Sequence, residues 1–424
     1  MTKSQQLFFE LLQVCVGARD ALRQTYTEAE WSGALQMAQE QTVVGVLMTA
    51  LERLPKDQLP SKIFLLQWLG QGEIVVDNSN KLFKASQETL NYFRENGFAC
   101  HVLKGSSVAR YYPVPNRRTS GDVDVWLDGT RDEIYDFARK FDKDGKLYGV
   151  NYCHIHFHLI EGVHIEVHIW PSYLSSPLRN YRLHKFFNQH RPTMDTDKPS
   201  LAFDRVFILL HAFQHLCGHG VGLRQLMDYY YVLKQSFETE DGRGKKEDGR
   251  GKREDGRGKR EDGRWKREDG RRKREDGRGK REEGRSKTEE GRGNNANDNL
   301  NANDEWREDS VYWIKQLGMK RFAEGLMWVF QKFFGMEERY MLFKPNEKEG
   351  KFIMEEVMMT GNMGHSETRN WGSLKSPLSR FFYNLRRDIH LATHYPHEAL
   401  WQPFFSLWLY AWRLSKGLLK DREE

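Results

Sequence analysis

The stretch SGDVDVW, residues 120–126, sets Asp122 and Asp124 one residue apart in a run that otherwise reads Val, Val, Trp. Side chains at i and i+2 of a strand share a face, roughly 6.6 Å apart, so the two carboxylates point together while Val123 and Val125 turn into a core. Like charges held that close are unfavourable unless a cation stands between them. Mg²⁺ suits such a pair, with Mn²⁺ as the substitute ion, because it takes oxygen ligands, keeps several waters and is shared with substrate phosphates. The competing reading is a strand whose outer face is simply solvated, with Asp122 capping a turn after Gly121.

The surroundings favour the cation. Upstream, HVLKGSSVARYY (101–112) runs an apolar strand into Gly105 and Ser106 and then a helix, the arrangement in which backbone N–H groups receive phosphate oxygens. Lys104, just before that turn, and Arg117 and Arg118, just before the acidic strand, are candidates for neutralising phosphate charge; the alternative for the arginines is an ion pair with the two aspartates. Downstream, VHIEVHIW (163–170) supplies a third carboxylate, Glu166, with Val163, Ile165, Val167 and Ile169 on the opposite face.

Pairing parity constrains how HIHFHL (154–159) meets this last strand. A two-residue turn would mix polar with apolar sides. A three-residue loop, Glu161–Val163, pairs His158 with Glu166 and His156 with His168 and gives one coherent polar face. That longer loop is expected, with Gly162 at positive φ. His154, His156, His158, His164 and His168 would then crowd the face bearing Glu166. Such a cluster can bind zinc, but without cysteine or a spacing signature His168 reads better as a residue that orients the carboxylate or touches substrate.

Short alternating runs separated by Gly, Asp and Asn, with helical stretches at SSVARYY (106–112) and TRDEIYDFARKF (130–141), fill residues 96–175, whereas apolar residues recur at helical spacing before and after. The expected fold is α+β: a helical region over 1–95, a small mixed sheet core over 96–175, helices packing on it over 176–239, and a C-terminal helical region over 306–424. Residues 240–305 interrupt the second helical region. Residues 240–288 repeat a seven-residue unit of the form EDGRGKR seven times, followed by an Asn-rich tail, and with nothing to bury this insertion is expected to be disordered. It reads as an expanded simple repeat in a surface loop; the alternative is an RG-rich tether for nucleic acid.

The seven units carry +7 against +6 for the whole chain, leaving −1 for the remainder, so the basic balance belongs to the repeat and argues no general nucleic-acid binding by the folded part. Four scattered cysteines without a CxxC pair argue against a disulfide framework and a zinc ribbon and fit a reducing, cytoplasmic setting. The N-terminus reads as an amphipathic helix rather than a signal peptide. ALWQPFFSLWLYAW (399–412) is too short for the roughly 20 residues that span a bilayer, so no transmembrane segment is expected. It reads as a core helix, with a membrane-surface or partner-docking helix as the alternative.

VLKG (102–105), RYYPVPNRRTSGDVDVWL (110–127), IEVHIW (165–170) and LLHAFQHLCGHGVGLRQLMDYYYVL (209–233), taken in order, resemble the uncharacterised nucleotidyltransferase family of the DNA polymerase β-like superfamily. The resemblance covers about residues 30–235. It implies a phosphate turn at Gly105 and Ser106, a metal-binding pair at Asp122 and Asp124, and a third acid at Glu166. The separation of Gly105 from Asp122 exceeds the superfamily's usual spacing but is shared within this family; the repeat is not a family feature. The implied reaction is two-metal transfer of NMP from an NTP to an acceptor, a small molecule or a protein side chain, with release of pyrophosphate. A rival from another class is a non-catalytic nucleotide- or RNA-binding module on the same scaffold. His211, His215 and His219 fall on one helical stripe near Asp228 and read as polar packing, although the resemblance covers His215 and Asp228 and makes a substrate-cleft role the second choice.

Overall fold

The computed structural model describes residues 1–142, 144–218, 220–247, 302–361 and 377–418. Four short strands form one mixed sheet: β1 (Cys100–Val102), β2 (Val123–Leu127), β3 (His154–His156) and β4 (Ile165–His168), in the order β1-β2-β4-β3. β1 runs antiparallel to β2, β2 parallel to β4, and β3 antiparallel to β4. A parallel pair needs a crossover, and α6 (Arg131–Phe141) with β3 supplies it between β2 and β4.

Period-two alternation divides the sheet. Val123, Val125, Leu127, Ile155, Ile165 and Val167 form one core with Leu90 and Phe93 of the long helix α4 (Lys62–Glu95) and Ile134 and Ala138 of α6. The opposite face carries Asp124, Glu166 and His168, and at its deep end Trp126, whose ring packs on Phe187 and Phe203. Those rings belong to α7 (Pro177–Asn188) and α8 (Leu201–Cys217). Thus β2 is buried on both faces and Asp124 is 1 % exposed, which overturns the solvated-face reading. α7 and α8 cover the Trp126 end of the polar face, and a cleft remains over Asp122 and Glu166.

α1 (Lys3–Cys15), α2 (Glu28–Glu40) and α3 (Val44–Arg53) precede α4, the first two entered through Thr2 and Thr27 capping boxes. α9 (Leu223–Glu247) follows α8, and further described helices run from α10 (Ala302–Gln316) to α15 (Gln402–Ser415), with short α5 (Ser106–Ala109) after β1.

Three expectations need correction. α9 runs on to Glu247 and α10 starts at Ala302, so both ends of the stretch 240–305 are helical; propagation from an already packed helix costs little nucleation. Residues 248–301, the rest of the insertion, lie outside the described residues. The β3–β4 register is shifted by two: His156 pairs with Glu166 and His154 with His168, and the N–H of Phe157 donates to the Ile165 carbonyl. A shift of two keeps the polar face coherent, but the connection is wider than three residues. Val163 is buried, and Leu159 and Ile160 pack on the core below the sheet, so apolar side chains hold the loop open while Gly162 takes φ +68°. Finally, α15 (Gln402–Ser415) is no core helix. None of its residues is buried, and Phe404, Leu407, Tyr410 and Leu414 are each more than half exposed. No described helix is long and apolar enough to cross a membrane.

Candidate functional site

The parallel register sets Asp124 directly beside Glu166, and Asp122 stands one residue before β2 on the same side. Carboxylate oxygens of Asp122, Asp124 and Glu166 lie within 4.8 Å of one another. Gly105 closes the arrangement from above: at φ +56°, ψ −114° it brings the backbone against Asp122, so that a Cβ there would stand 3.5 Å from the Asp122 carbonyl. Only glycine reaches that conformation without strain. Gly105→Ala is expected to cost about 1–3 kcal/mol, read as a lower thermal midpoint.

Two cations already engage the acids. Lys104 Nζ lies 2.7 Å from Asp124 Oδ1, and His168 Nε2 lies 3.0 Å from the same oxygen and 3.3 Å from Glu166 Oε2. The two aspartates are driven apart in acidity. The Asp124 charge, then burial, raises the Asp122 carboxyl. Burial would raise Asp124 too, but the Lys104 ammonium and the His168 hydrogen bond hold it below its usual range. Burial opposes charge on His168, yet hydrogen bonds to Asp124 and Glu166 push the imidazole up to about 9. Glu166 follows Asp124: burial opposes, and His168, Lys104 and His154 hold it well below the carboxylate range. Burial, then the His168 charge, pushes His154 down to about 3. Its Nδ1 lies 3.4 Å from Glu166.

Asp124 Oδ2 is buried and has no hydrogen-bond partner among the described residues. A buried, unsatisfied carboxylate oxygen is costly and calls for an explanation such as an ion. Together with the neighbouring oxygens of Asp122 and Glu166 it fits a divalent cation. Asp122 and Glu166 line a cleft of about 570 Å³, within the range of small-molecule sites, with Asp124 buried behind them.

A model of the uncharacterised nucleotidyltransferase family matches residues 27–244, more than half of the chain. The chain belongs to this family. Membership carries the general chemistry, nucleotidyl transfer from an NTP. No curated protein and no solved structure matches the chain.

Further walls of the cleft come from α8, α9 and the α2–α3 corner, with Asn151, Cys153 and Pro171–Tyr173 beside them. α8 contributes His211, Gln214 and His215, the rings of the two histidines meeting edge to face at 4.5 Å. His219 lies outside the described residues. α9 contributes Arg224, whose Nη1 donates to the Thr119 carbonyl at 3.1 Å. The α2–α3 corner contributes Thr42, which has positive φ (54°) and receives the Thr119 hydroxyl on its carbonyl.

The two arginines before the acidic strand part company, and neither makes the ion pair with Asp122 or Asp124 that is the alternative to a phosphate role. Arg117 turns away to Glu52 and Thr49 on α3. Arg118 lines the cleft but is gripped by Asp228 through Nε (2.7 Å) and Nη2 (2.6 Å), and Tyr112 donates to the same carboxylate at 2.7 Å. Arg118 therefore shapes the 118–121 loop, and Asp228 acts through it rather than beside His215. Ser106 opens α5, partly buried and outside the cleft wall. Arg224 carried no signal as a single arginine. Its spacing of four before Asp228, which puts both on one face of α9, was the available clue.

Proposed function

We propose that this chain is a divalent-metal-dependent nucleotidyltransferase of the two-metal type, moving NMP from an NTP to a small-molecule or protein side-chain acceptor. The observation that carries the reading is the convergence of Asp122, Asp124 and Glu166 within 4.8 Å, with a buried Asp124 oxygen left unpaired. These three carboxylates would hold Mg²⁺ or Mn²⁺. Bound there, the ions would supply charge neutralisation for the triphosphate and lower the pKa of the acceptor hydroxyl.

The chain's own groups have separable tasks. His168 orients Asp124 and Glu166 by bridging them. Lys104 neutralises Asp124 and, on arrival of a triphosphate, exchanges that carboxylate for phosphate oxygens. Gly105 lets the backbone approach the phosphates, with Ser106 beginning the helix that follows. Arg118 and Arg224 both line the cleft and would present positive charge to it. Glu166, held charged against burial by His168, Lys104 and His154, would serve as an ion ligand rather than as a strong base.

Lys104 at 2.7 Å from Asp124 also favours a second reading, since an internal ammonium already serves part of the role of an ion. On that reading the cleft is a non-catalytic nucleotide- or RNA-binding module. Incubation with α-phosphorus-labelled NTPs, Mg²⁺ and candidate acceptors separates the two. Transfer of label that disappears in Asp122→Ala and Asp124→Ala supports catalysis; nucleotide binding without transfer or pyrophosphate release supports the module. Deleting residues 248–301 is expected to leave turnover unchanged, and a selective loss of RNA affinity would give the repeat its own role.

A further inference from the structure

Two imidazoles at the open end of the sheet take no part in the acidic cluster. His156 and His164 meet edge to face with ring centroids 4.4 Å apart, and with Glu166 they form another set of three donors whose ligand atoms lie within 4.8 Å of one another. His156 is held in position from two sides. Its N–H donates to the Tyr148 carbonyl at 2.9 Å, and its ring lies over Gly149, where a Cβ would come within 2.2 Å of ring atoms. At φ +54° that position also needs glycine for its backbone. The ring therefore occupies a space that any other residue at 149 would fill.

We propose that His156, His164 and Glu166 form a transition-metal site of the Zn²⁺ class at the rim of the cleft. Two imidazoles and one carboxylate are an established zinc donor set, which leaves a fourth position for water. An all-carboxylate set favours a hard ion such as Mg²⁺ instead, so the two sets differ in the metal they select. Tetrahedral bonds of about 2.0–2.1 Å bring ligand atoms to roughly 3.4 Å from one another. His164 is exposed and precedes β4, so rotation of its side chain supplies the closure while His156 stays fixed. The alternative trio, His154, Glu166 and His168, is less available, because His168 Nε2 is already bonded to Asp124.

Glu166 belongs to both sets. Zinc at the rim draws this carboxylate from Asp122 and Asp124, so a transition metal opposes the Mg²⁺-dependent reaction. That consequence rests on the nucleotidyl-transfer reading; the binding site itself does not.

Equilibrium dialysis of the full chain against ZnCl₂, with bound metal counted by mass spectrometry, tests the site. Wild type is expected to retain zinc, with His156→Ala and His164→Ala each losing affinity by more than about tenfold, a loss seen even for outer-shell changes. His158→Ala, an exposed residue packed on Tyr148, and Asp122→Asn are expected to retain it. Absence of retained zinc overturns the proposal, as does retention unchanged in His164→Ala, which includes zinc lodged on His154 and His168. Circular dichroism of each variant identifies any that has unfolded, and since His164 is exposed its variant keeps the test decisive. In the labelled-NTP assay, micromolar zinc should then inhibit wild type and spare His164→Ala. A chain that binds zinc at these residues but transfers no label would sink the functional reading alone.

Discussion

Asp124→Asn is expected to lower nucleotidyl transfer by about three orders of magnitude, roughly 4 kcal/mol of transition-state stabilisation. The substitution keeps the shape of the side chain and removes its charge. Asp124 is the most enclosed of the three acids: its Oδ1 holds both Lys104 (2.7 Å) and His168 (3.0 Å), and its Oδ2 is the unpaired oxygen that faces the proposed ion. An amide presents one oxygen instead of two and no net charge, so it cannot satisfy a cation and its internal counter-ions together. Steady-state turnover against Mg²⁺ concentration checks this, alongside a thermal melt of the same protein. Turnover within tenfold of wild type in a folded variant would mean that Asp124 holds no catalytic ion. A melt that collapses would instead mark the residue as structural, and Asp122→Asn, at the more open acid, then carries the test.

The largest loss of stability is expected from Asp228→Ala. The Arg118 side chain is 5 % exposed and that of Asp228 2 %, so removal of the carboxylate strands a guanidinium and the Tyr112 hydroxyl in a dry interior. Breaking a buried pair from one side costs about 3–5 kcal/mol, a fall of roughly 10 °C in thermal midpoint for a domain of this size. Arg118 anchors the loop that carries Ser120 and Gly121 into the cleft, so nucleotide affinity falls as well. The double variant Arg118→Met/Asp228→Leu should recover most of the stability and little of the affinity, because an apolar pair of similar volume removes the stranded charge but not the need for the loop's anchor. Arg117→Ala is the contrast. Its partner Glu52 is 53 % exposed on the side chain, and such a pair contributes about 0–1 kcal/mol. Equal effects of Asp228→Ala and Arg117→Ala would contradict the account of the two arginines.

These comparisons show what the residues alone could reveal. A period of two places Asp122, Asp124, Val123 and Val125 on their faces without knowledge of the rest of the chain, and the same rule puts Glu166 opposite Val167. Sheet order then brings Glu166 to Asp124, since both lie on adjacent parallel strands. The partner of Arg118 was illegible for a different reason. Asp228 is 110 residues away, and nothing local distinguishes an arginine that will meet a phosphate from one that will meet a buried carboxylate. The β3–β4 register also escaped, because parity restricts pairing to every second residue and only the packing of Leu159, Ile160 and Val163 chooses among those. In α15, near-continuous apolarity gives no face to read. Composition suggested a core, while burial depends on what packs against the helix; Phe405 meets Tyr173 at 4.7 Å, and the far side remains exposed.

Calorimetric titration of a non-hydrolysable NTP into the full chain, with and without Mn²⁺ or Mg²⁺, is the most direct trial of the claim that Asp122, Asp124 and Glu166 together hold a metal-bound triphosphate. The account predicts binding that requires the divalent ion and is lost in Asp124→Asn. Failure to bind with either ion, or binding that is indifferent both to the ion and to Asp124, would contradict it.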